Sequence, residues 1–356
     1  MKYICEMGPG NDYPGGILSV IHEYMKSPIL RNLNLKHIVT VKKNRKYSKF
    51  IQSIVYYYFL CLFRKVSLCH IHMSERGSCD RAIVIIDISK MFNVPVIVHS
   101  HGSEIIGYYN SLNKASKEKF DLAMSYASRI LILTPGWSEF WGKIVDADKL
   151  TIVPNGVEMQ HIKKKKHKYN NKLNILFLGY VGDRKGTFDL VYAMKKIVDS
   201  YKKTNVLLEI AGNGEIEKCR NLVNKLGLTN YINVLGWVDK EQKYKLLSKA
   251  DILVLPSYFE SFGIVALEAM AFKVPVVCGD KGFTKELINN GENGLIAETG
   301  NPIDIANKIL EAEMNLSEMG ENGYKKVHQY YSFEKVENQI KKIYIQEMNK
   351  CWQTIL

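Results

Sequence analysis

Two glutamates eight residues apart are the first candidates for chemistry in this sequence. They flank the segment "SFGIVAL": Glu260 follows an aromatic pair, and Glu268 lies within the apolar run "IVALEAMA". In a single helix, about 12 Å of rise and about 80° of rotation would separate the two carboxylates, so they could not act on one atom. We therefore expect a loop to hold Glu260 and a helix to begin near Phe262–Ile264. Burial of Glu268 without a partner would be costly.

This arrangement suits an elongated ligand that carries negative charge in its middle. The free N–H groups at the start of a helix bind anions, and carboxylates on either side accept hydrogen bonds from hydroxyl groups at the ends of the ligand. A nucleoside diphosphate sugar has this form. The alternative is an ordinary amphipathic helix with glutamates on its solvent face, but the apolar neighbours of Glu268 do not fit that pattern.

Short apolar segments alternate with helix-length segments along the chain, and they must position these glutamates. The clearest strand segments are "HIVTV" (37–41), "VPVIVHS" (94–100), "RILILT" (129–134), "KLNILFLG" (172–179), "NVLLEIAG" (205–212), "DILVLP" (251–256) and "VPVVCG" (274–279). Such strands are typical of parallel sheets that are covered on both faces. The alternation breaks at 151–174, where Pro-Asn-Gly and a lysine run indicate a linker. We predict an α/β protein with two doubly wound, Rossmann-like domains that face a cleft.

The charge distribution and the cysteines narrow the function classes. Residues 1–170 carry 25 Lys and Arg against 13 Asp and Glu, a net charge of +12, whereas residues 171–356 carry 24 against 23, or +1. The basic half predicts an acidic partner, but no RNP, zinc-finger or helix-turn-helix pattern indicates nucleic acid. The seven cysteines include no C-x-x-C pair and are interpreted as reduced thiols. With no signal peptide or spanning segment in the sequence, we expect a cytoplasmic location.

Several motifs follow one another in the order and spacing of a known family. They are "YPGGILSV" (13–20), "HIHMSERGS" (70–78), "VIVHSHGSE" (96–104), "TIVPNGV" (151–157), "ILFLGYVGDRKGTFDL" (175–190), "IAGNGE" (210–215), "VLGWV" (234–238) and the E-x7-E segment. Together they resemble the retaining glycosyltransferases of family 4, within the group 1 glycosyl transferases, which have the GT-B fold. The resemblance covers nearly the whole chain, and its specificity comes from order and spacing together.

The resemblance gives each part of the chain an expected task. Residues 1–157 are expected to form the acceptor-side, N-terminal domain, residues 158–172 the linker, and residues 173–331 the domain that binds the nucleotide sugar. Residues 332–356 are expected to form a C-terminal helix, able to pack back on the N-terminal domain. The apolar residues at roughly helical spacing in this helix are Phe333, Val336, Ile340, Ile343 and Ile345.

The resemblance also implies a role for each residue that matches a motif. Glu260 is expected to contact hydroxyl groups of the donor sugar, Glu268 the ribose, and Lys185 the diphosphate. His101, at the end of "VPVIVHS", is expected to face the donor sugar and the reaction centre. The further donor-binding positions are Gly15 and Gly16 in the early glycine turn and the amides of Phe262, Gly263 and Ile264. By contrast, His70, His72 and His99 are interpreted as structural.

One position departs from the family pattern. The family usually has an arginine after "FLG" that also reaches the phosphates, and here that position is Tyr180. Either Arg184, beside Lys185, supplies this charge, or the diphosphate is bound differently. We expect no metal and no cofactor, because Lys185, Arg184 and the helix start meet the charge of the leaving group. The D-x-D of residues 146–148 lies far from E-x7-E along the chain and is interpreted as surface charge.

The expected reaction is transfer of a hexosyl group, with retention of configuration, from a nucleotide sugar to a saccharide acceptor. A UDP-sugar donor and a lipid-linked acceptor in the synthesis of a cell-surface polysaccharide, such as capsule, O-antigen or lipopolysaccharide, are favoured. No carboxylate stands out as a nucleophile, so a front-face route fits better, in which the departing diphosphate accepts the acceptor's proton. The alternatives are a sugar-nucleotide epimerase with the same architecture and a non-catalytic basic binding protein.

A basic and aromatic stretch, residues 42–65, predicts contact with a membrane surface. Five basic residues precede the apolar run and two follow it: Lys42, Lys43, Arg45, Lys46, Lys49, Arg64 and Lys65. Residues 41–65 contain no acidic residue. Because basic residues near an anionic leaflet contribute about 1 kcal/mol each, we expect the protein to be peripheral at the inner face of the cell membrane. The alternative for the apolar run is a core helix.

Overall fold

The chain divides into two compact units in the computed structural model, which describes residues 2–13, 15–159 and 172–353. Unit 1 is formed within Met1–Gly156 and Phe333–Leu356, and unit 2 within Val157–Ser332. The chain therefore crosses between the units at 156/157 and again at 332/333. Most of the expected linker 158–172, including its lysine run 163–168, lies outside the described residues. None of the helices in the described ranges is both long and apolar enough for a membrane span.

Unit 1 contains a parallel sheet of six strands in its described part, in the order β2-β1-β3-β4-β5-β6. The strands are β1 (Tyr3–Pro9), β2 (Leu35–Val41), β3 (Val66–Met73), β4 (Val96–Ser100), β5 (Arg129–Ile132) and β6 (Leu150–Ile152). The helices of Met1–Gly156 are α1 (Gly16–Lys26), α2 (Pro28–Arg31), α3 (Lys46–Leu62), α4 (Gly77–Met91), α5 (Ile105–Ser111), α6 (Lys114–Tyr126) and α7 (Ser138–Trp141). Parallel strands connected by helices give the doubly wound arrangement that the sequence predicts.

Unit 2 repeats this architecture with the strand order β12-β11-β10-β7-β8-β9 over its described residues. The strands are β7 (Leu173–Leu178), β8 (Val206–Ala211), β9 (Ile232–Gly236), β10 (Ile252–Leu255), β11 (Val276–Gly279) and β12 (Gly294–Ala297). The helices are α8 (Thr187–Asp199), α9 (Ile216–Lys225), α10 (Lys240–Lys249), α11 (Ile264–Ala271), α12 (Pro302–Glu313) and α13 (Leu316–Lys326). The central strands β7 and β10 are adjacent, so the segments that follow them lie at the same edge of the sheet.

The last helix, α14 (Phe333–Gln353), belongs to unit 1. Val336, Ile340, Ile343 and Tyr344 are buried in a core cluster with Ile4, Tyr24 and Leu30. The expectation that Ile345 shares the buried face is wrong, since it is 38% exposed. Residue 345 lies about 180° around the helix from residue 336, whereas 340, 343 and 344 fall within about 80° of it. Polar contacts also attach α14: Glu347 accepts from Arg129 at 2.7 Å.

Candidate functional site

Glu260 and Glu268 lie on opposite sides of a helix start in unit 2, as the sequence predicts. Residues 256–263 form the segment between β10 and α11, and Glu268 is the fifth residue of α11. Gly263 precedes the helix in a left-handed conformation, with φ +81°, and a Cβ atom there would lie 2.5 Å from Thr284 Oγ1. This turn therefore requires glycine. No side chain of the described residues caps α11, so its first N–H groups remain available to an anion.

Lys185 meets Glu260 although 75 residues separate them in the chain. Lys185 ends the turn Asp183–Lys185 that follows β7, and Nζ of Lys185 forms an ion pair with Oε1 of Glu260. Each of the two side chains is 15% exposed, and Ser257 Oγ donates to the same carboxylate oxygen at 3.2 Å. The loops are pressed together here because a Cβ atom on Gly186 would lie 2.1 Å from the carbonyl oxygen of Pro256.

Arg184 and Tyr180 lie near the same loops. The Arg184 guanidinium donates to the carbonyl oxygen of Phe259 at 3.4 Å, and the Arg184 carbonyl accepts from the N–H of Tyr258 at 2.9 Å. Tyr180, at the position where the family usually has arginine, is 48% exposed. A ring carbon of Tyr180 lies 3.0 Å from the Cβ position of Gly182 and 3.0 Å from that of Gly214. An aromatic ring thus covers the glycine turns at this point of the site.

Glu268 has a lysine partner that the sequence did not indicate. Lys243, on α10, donates to Oε1 of Glu268 at 2.5 Å. The other carboxylate oxygen, Oε2, is buried and has no hydrogen-bond partner among the described residues. The glutamate side chain as a whole is 14% exposed, and this oxygen is an acceptor that the described residues leave unused. Both glutamates of the E-x7-E segment are therefore paired with lysine, and Glu268 keeps one acceptor free.

Gly15 and Gly16 mark the start of α1 in unit 1. Gly15 is the residue before the helix, in an extended conformation, and no side chain of the described residues caps this end. Both glycines are exposed, and a Cβ atom on either would meet no atom of the described residues within 4 Å. The polypeptide alone therefore does not require glycine at these positions. Asp146 and Asp148 of the D-x-D are also in unit 1, exposed, around a short turn before β6.

Four histidines lie together on unit 1, on the neighbouring strands β3 and β4. Alternate residues of a strand point to the same face, and His72 pairs with His99 in register between β3 and β4. The centroids of His70 and His72 are 4.3 Å apart, and those of His99 and His101 are 4.2 Å apart. His101 follows β4 directly, and its N–H donates to the Met73 carbonyl at 2.8 Å. The sequence singled out His101, but not its association with the other three.

A buried carboxylate from β1 organises this cluster. Glu6 is 0% exposed, and its Oε2 lies 3.1 Å from Nδ1 of His70 and 2.9 Å from Nε2 of His72. Its other oxygen accepts a hydrogen bond of 2.5 Å from the Tyr344 hydroxyl, which comes from α14. His72 Nδ1 in turn lies 3.1 Å from Nε2 of His101. A continuous chain of contacts therefore runs from Glu6 through His72 to His101.

Burial and neighbouring charges determine the pKa values of Glu6, His72 and His101. Burial would raise the pKa of Glu6, but the charges and hydrogen bonds of His70 and His72 outweigh it and hold that pKa well below its usual range. Burial, together with the neighbouring His70, lowers the pKa of His72 to about 4 although Glu6 opposes the change. Burial, followed by neighbouring imidazoles, also lowers the pKa of His101, which retains partial solvent exposure. Near neutral pH, Glu6 is therefore a carboxylate, and His72, His99 and His101 are neutral imidazoles.

The side chains of His70, His72 and His99 come near the arrangement of a metal centre. Their potential ligand atoms lie within 4.8 Å of one another, and no other such group occurs in the described ranges. His72, however, already uses both ring nitrogens in hydrogen bonds, to Glu6 and to His101. We assign no metal centre to these residues.

Comparisons with known proteins agree with the arrangement in unit 2. Residues 158–326 match the sequence model of the family described as "Glycosyl transferases group 1". A similar protein is an uncharacterized glycosyltransferase of Methanocaldococcus jannaschii, 28% identical over 321 residues, 88% of this chain and 85% of that protein. Another is the capsular polysaccharide biosynthesis glycosyltransferase CapM of Staphylococcus aureus, 30% identical, with 55% of each chain covered. A galactosyltransferase of Escherichia coli that acts on a GlcNAc-diphosphoundecaprenol is 23% identical, with 97% of this chain and 88% of that protein covered.

Solved structures agree on the fold. HepE of Anabaena, in complex with UDP and glucose, has a TM-score of 0.76 at 15% identity and covers 96% of this chain and 99% of its own. Sucrose-phosphate synthase of Thermosynechococcus elongatus has a TM-score of 0.76 at 16% identity, with 97% and 99% covered. Both similarities are at a level of identity that informs about fold alone. This chain is therefore similar to the group 1 glycosyl transferases over residues 158–326, and its two doubly wound units share the fold of its GT-B neighbours.

Proposed function

We propose that the protein is a retaining glycosyltransferase that moves a hexosyl group from a UDP-sugar to a saccharide acceptor carried on a lipid. The observation that carries the proposal is the combination found around the start of α11. An uncapped helix start lies between a Lys185–Glu260 ion pair and Glu268, whose buried Oε2 has no partner among the described residues. This combination offers an anion site with hydroxyl acceptors on both sides, the requirement of a nucleotide sugar.

The donor would be bound by exchange of partners. The diphosphate takes the helix N–H groups and draws Lys185 toward itself, while Glu260 turns to hydroxyl groups of the sugar and Glu268 Oε2 accepts from the ribose. The amides of Phe262, Gly263 and Ile264 contribute to this anion site, and Arg184 adds a second cation beside Lys185. Gly15 and Gly16 leave open space next to the uncapped start of α1, which allows a phosphate to approach the backbone.

In the chemical step, the bond between the anomeric carbon and the diphosphate oxygen breaks as an acceptor oxygen bonds to the same face of that carbon. The acceptor's proton passes to the departing diphosphate, which leaves as UDP. Lys185 and the helix start stabilise the charge on the leaving group, and His101, in unit 1, acts on the donor sugar. We propose that neither a metal nor a cofactor takes part, since these groups of the chain meet the diphosphate charge.

The similar proteins support the cell-surface role. CapM of Staphylococcus aureus is named for capsular polysaccharide biosynthesis, and the galactosyltransferase of Escherichia coli is named for a diphosphoundecaprenol-linked acceptor and UDP-galactose. HepE of Anabaena was solved with UDP and glucose. These names favour UDP as the nucleotide and a lipid-linked saccharide as the acceptor of this chain, in capsule, O-antigen or lipopolysaccharide synthesis.

A two-stage experiment tests the proposal. The first stage measures which of a panel of UDP-, GDP- and ADP-sugars raises the melting temperature, because a ligand that binds the folded state stabilises it. The second stage incubates that donor with undecaprenyl-diphosphate-linked saccharides and determines the product's anomeric configuration by NMR, with and without EDTA. We expect transfer with retention that survives EDTA. Strict dependence on manganese, inversion, or epimerisation of the donor would each contradict the proposal.

We further propose that α3 holds unit 1 at an anionic membrane surface. The buried residues of α3 are Ser53, Tyr57 and Cys61. The opposite side has Tyr47, Ile51, Val55, Phe59 and Leu62, whose exposed fractions run from 86% for Tyr47 to 47% for Leu62. The basic residues at the two ends of this helix are those of the stretch 42–65. An amphipathic helix with an apolar face bordered by lysine and arginine binds the interface of anionic bilayers.

Vesicle co-sedimentation tests this attachment. We compare the wild type with a variant in which Lys42, Lys43, Arg45, Lys46 and Lys49 are changed to Gln. A control of equal charge changes five lysines elsewhere in unit 1: Lys26, Lys114, Lys117, Lys119 and Lys143. We expect salt-sensitive binding to vesicles containing phosphatidylglycerol, lost in the first variant and kept in the control.

The apolar face needs its own pair of variants. The double variant Ile51→Ser and Val55→Ser should bind vesicles more weakly at both low and high salt. The control variant Leu122→Ser and Met91→Ser, with changes at exposed positions on α6 and α4, should bind like the wild type. If wild-type binding ignores both salt and the α3 changes, the helix is not the attachment site.

A further inference from the structure

We infer that Glu6 and His72 hold His101 in one tautomer, with the proton on Nε2 and the lone pair on Nδ1. The inference rests on the proposed function, in which His101 acts on the donor sugar, and it adds two positioning residues that the motif containing His101 does not include. The hydrogen bonds that support it join Glu6 on β1 to His72 on β3, and His72 to His101 directly after β4.

Glu6 fixes the position of the proton on His72. An ionised carboxylate can only accept hydrogen bonds, and the low pKa of Glu6 keeps it ionised. Its Oε2 lies 2.9 Å from Nε2 of His72, so that nitrogen must carry a proton. Since burial lowers the pKa of His72 to about 4, the ring is neutral near pH 7 and its Nδ1 bears a lone pair.

His72 in turn fixes the position of the proton on His101. The lone pair of His72 Nδ1 lies 3.1 Å from Nε2 of His101. A hydrogen bond at this distance requires that Nε2 of His101 carry the proton. Because the lowered pKa keeps His101 neutral as well, its Nδ1 is left as an acceptor. His101 can therefore accept a hydrogen bond from a hydroxyl group but cannot donate one from Nδ1.

The surrounding groups secure the same pattern. The Tyr344 hydroxyl donates to Oε1 of Glu6, and His70 Nδ1 lies 2.6 Å from that hydroxyl oxygen and 3.1 Å from Oε2 of Glu6. Tyr344 comes from α14, so the last helix of the chain helps to fix the carboxylate. Other titratable groups beside the contacts from Glu6 to His101 are Tyr24 on α1, His37 on β2 and His99 on β4. None of these brings a second carboxylate that could reverse the order of donors.

This order has a consequence for specificity. Because Nδ1 of His101 can only accept a hydrogen bond, it selects a ligand hydroxyl group as its partner. It rejects a carbonyl oxygen or another unprotonated acceptor at the same place. A buried glutamate on β1, outside the motif that contains His101, thereby determines which sugar group His101 can bind. The same logic explains why a carboxylate that orients a histidine affects catalysis without touching the substrate.

Nitrogen NMR tests the tautomer without any need for turnover. In protein labelled with 15N-histidine, long-range proton–nitrogen correlation at pH 7.5 distinguishes a protonated from an unprotonated ring nitrogen. His101 is assigned by its loss in His101→Gln. We expect a single neutral form with an unprotonated Nδ1. An Nδ1-protonated ring or a mixture in the wild type would overturn the inference, whether or not the protein transfers sugar.

Two variants and a control test the chain of contacts. His72→Phe removes the acceptor, and Glu6→Gln keeps the shape of Glu6 while supplying an amide donor that can invert the order. We expect either change to shift His101 toward the other tautomer. His70→Phe is the matched control, since His70 contacts Glu6 but not His101, and it should leave the tautomer unchanged. If both test variants fold and His101 keeps its wild-type signals, Glu6 and His72 do not hold it.

Kinetics then connect the tautomer with the reaction. Loss of a residue that orients a metal-bound histidine through a hydrogen bond typically lowers activity by about 10- to 100-fold. We expect a similar loss of kcat in Glu6→Gln, with little change in the Kd of the donor. A loss confined to donor Kd would contradict the positioning role. Failure of transfer in the wild type, with the expected NMR result, would contradict the proposed function and leave the tautomer standing.

Discussion

The ion pair between Lys185 and Glu260 should matter more to transfer than to folding, and a double-mutant cycle can separate the two. The variants are Lys185→Met, Glu260→Gln and the double change. Each single change leaves the charge of the other residue unpaired, at a place where each side chain is only 15% exposed. The double change removes both charges and so avoids an unpaired buried group.

The size of each effect follows from the burial of the pair. Exposed ion pairs contribute up to about 1 kcal/mol, and breaking a fully buried pair costs about 3–5 kcal/mol. This pair lies between those limits, so we expect each single change to cost about 2 kcal/mol of unfolding free energy. Loss of one contact to transition-state charge typically costs about 3 kcal/mol, which corresponds to about a hundredfold in rate.

Chemical denaturation and initial rates of UDP release, measured on the same four proteins, give the two cycles. We expect stability to recover in the double variant to within about 1 kcal/mol of the wild type, while transfer stays at least about a hundredfold low. The pattern would show that the pair exists for the ligand and not for the fold. Recovery of transfer together with stability in the double variant would refute the assignment of Lys185 and Glu260 to the reaction.

Three other predictions follow from the described contacts. Gly263→Ala should destabilise unit 2 by at least about 1 kcal/mol more than Gly291→Ala in thermal unfolding. Both glycines have a positive φ, but only at Gly263 would an added Cβ atom lie within 4 Å of another residue, namely Thr284 Oγ1. Equal losses of stability in the two variants would contradict this prediction. His101→Ala should lower kcat with little effect on UDP affinity measured by calorimetry, and an equal loss of affinity would place His101 at the nucleotide instead. Unit 1 should lose stability as the pH falls below about 6.5, because the pKa of His72 is lowered to about 4 in the folded protein and the unfolded chain therefore binds that proton first. The loss of unfolding free energy should reach up to about 3 kcal/mol by pH 4. A denaturation midpoint that stays constant from pH 7 to pH 5 would contradict this prediction.

The sequence predicted the parts of the fold that depend on local pattern. Each of the seven apolar segments singled out as strands contains a strand of the described structure, since runs of buried β-branched residues have few alternatives in a covered parallel sheet. The start of α11 near Phe262–Ile264 was predictable for a similar reason. Five strands of that structure were not among those segments: β1, β3, β6, β9 and β12. The four-residue "GLIA" of β12 is too short to show a period.

The pairing of charges could not be predicted from the sequence. Lys185 is 75 residues from Glu260, and Lys243 is 25 residues from Glu268. These pairs depend on which strands become neighbours, and only the folded sheet brings β7 beside β10. The prediction gave Lys185 and Glu260 separate tasks toward the donor, and it contained no role for Lys243.

The histidine cluster shows the same limit in the other unit. The alternation His70-x-His72 on one segment and His99-x-His101 on another indicates two strand faces. Whether the two faces meet depends on the register between β3 and β4, which pairs His72 with His99. Glu6 carries no local signal at all, since a single glutamate in "YICEMGP" looks like a strand residue facing solvent.

The lysine partners change what the two glutamates are expected to do when a diphosphate binds. Without ligand, Glu260 neutralises Lys185, so an incoming diphosphate must compete with a carboxylate for that ammonium. The uncapped N–H groups of α11 have no such competitor among the described side chains. Glu260→Gln should therefore leave UDP binding unchanged or make it tighter, because Lys185 is freed, while it removes the strong acceptor for the sugar hydroxyls. The preference for UDP-sugar over UDP should then fall, as measured by calorimetry with both ligands. If UDP affinity instead falls as steeply as UDP-sugar affinity, the carboxylate supports the nucleotide and not the sugar.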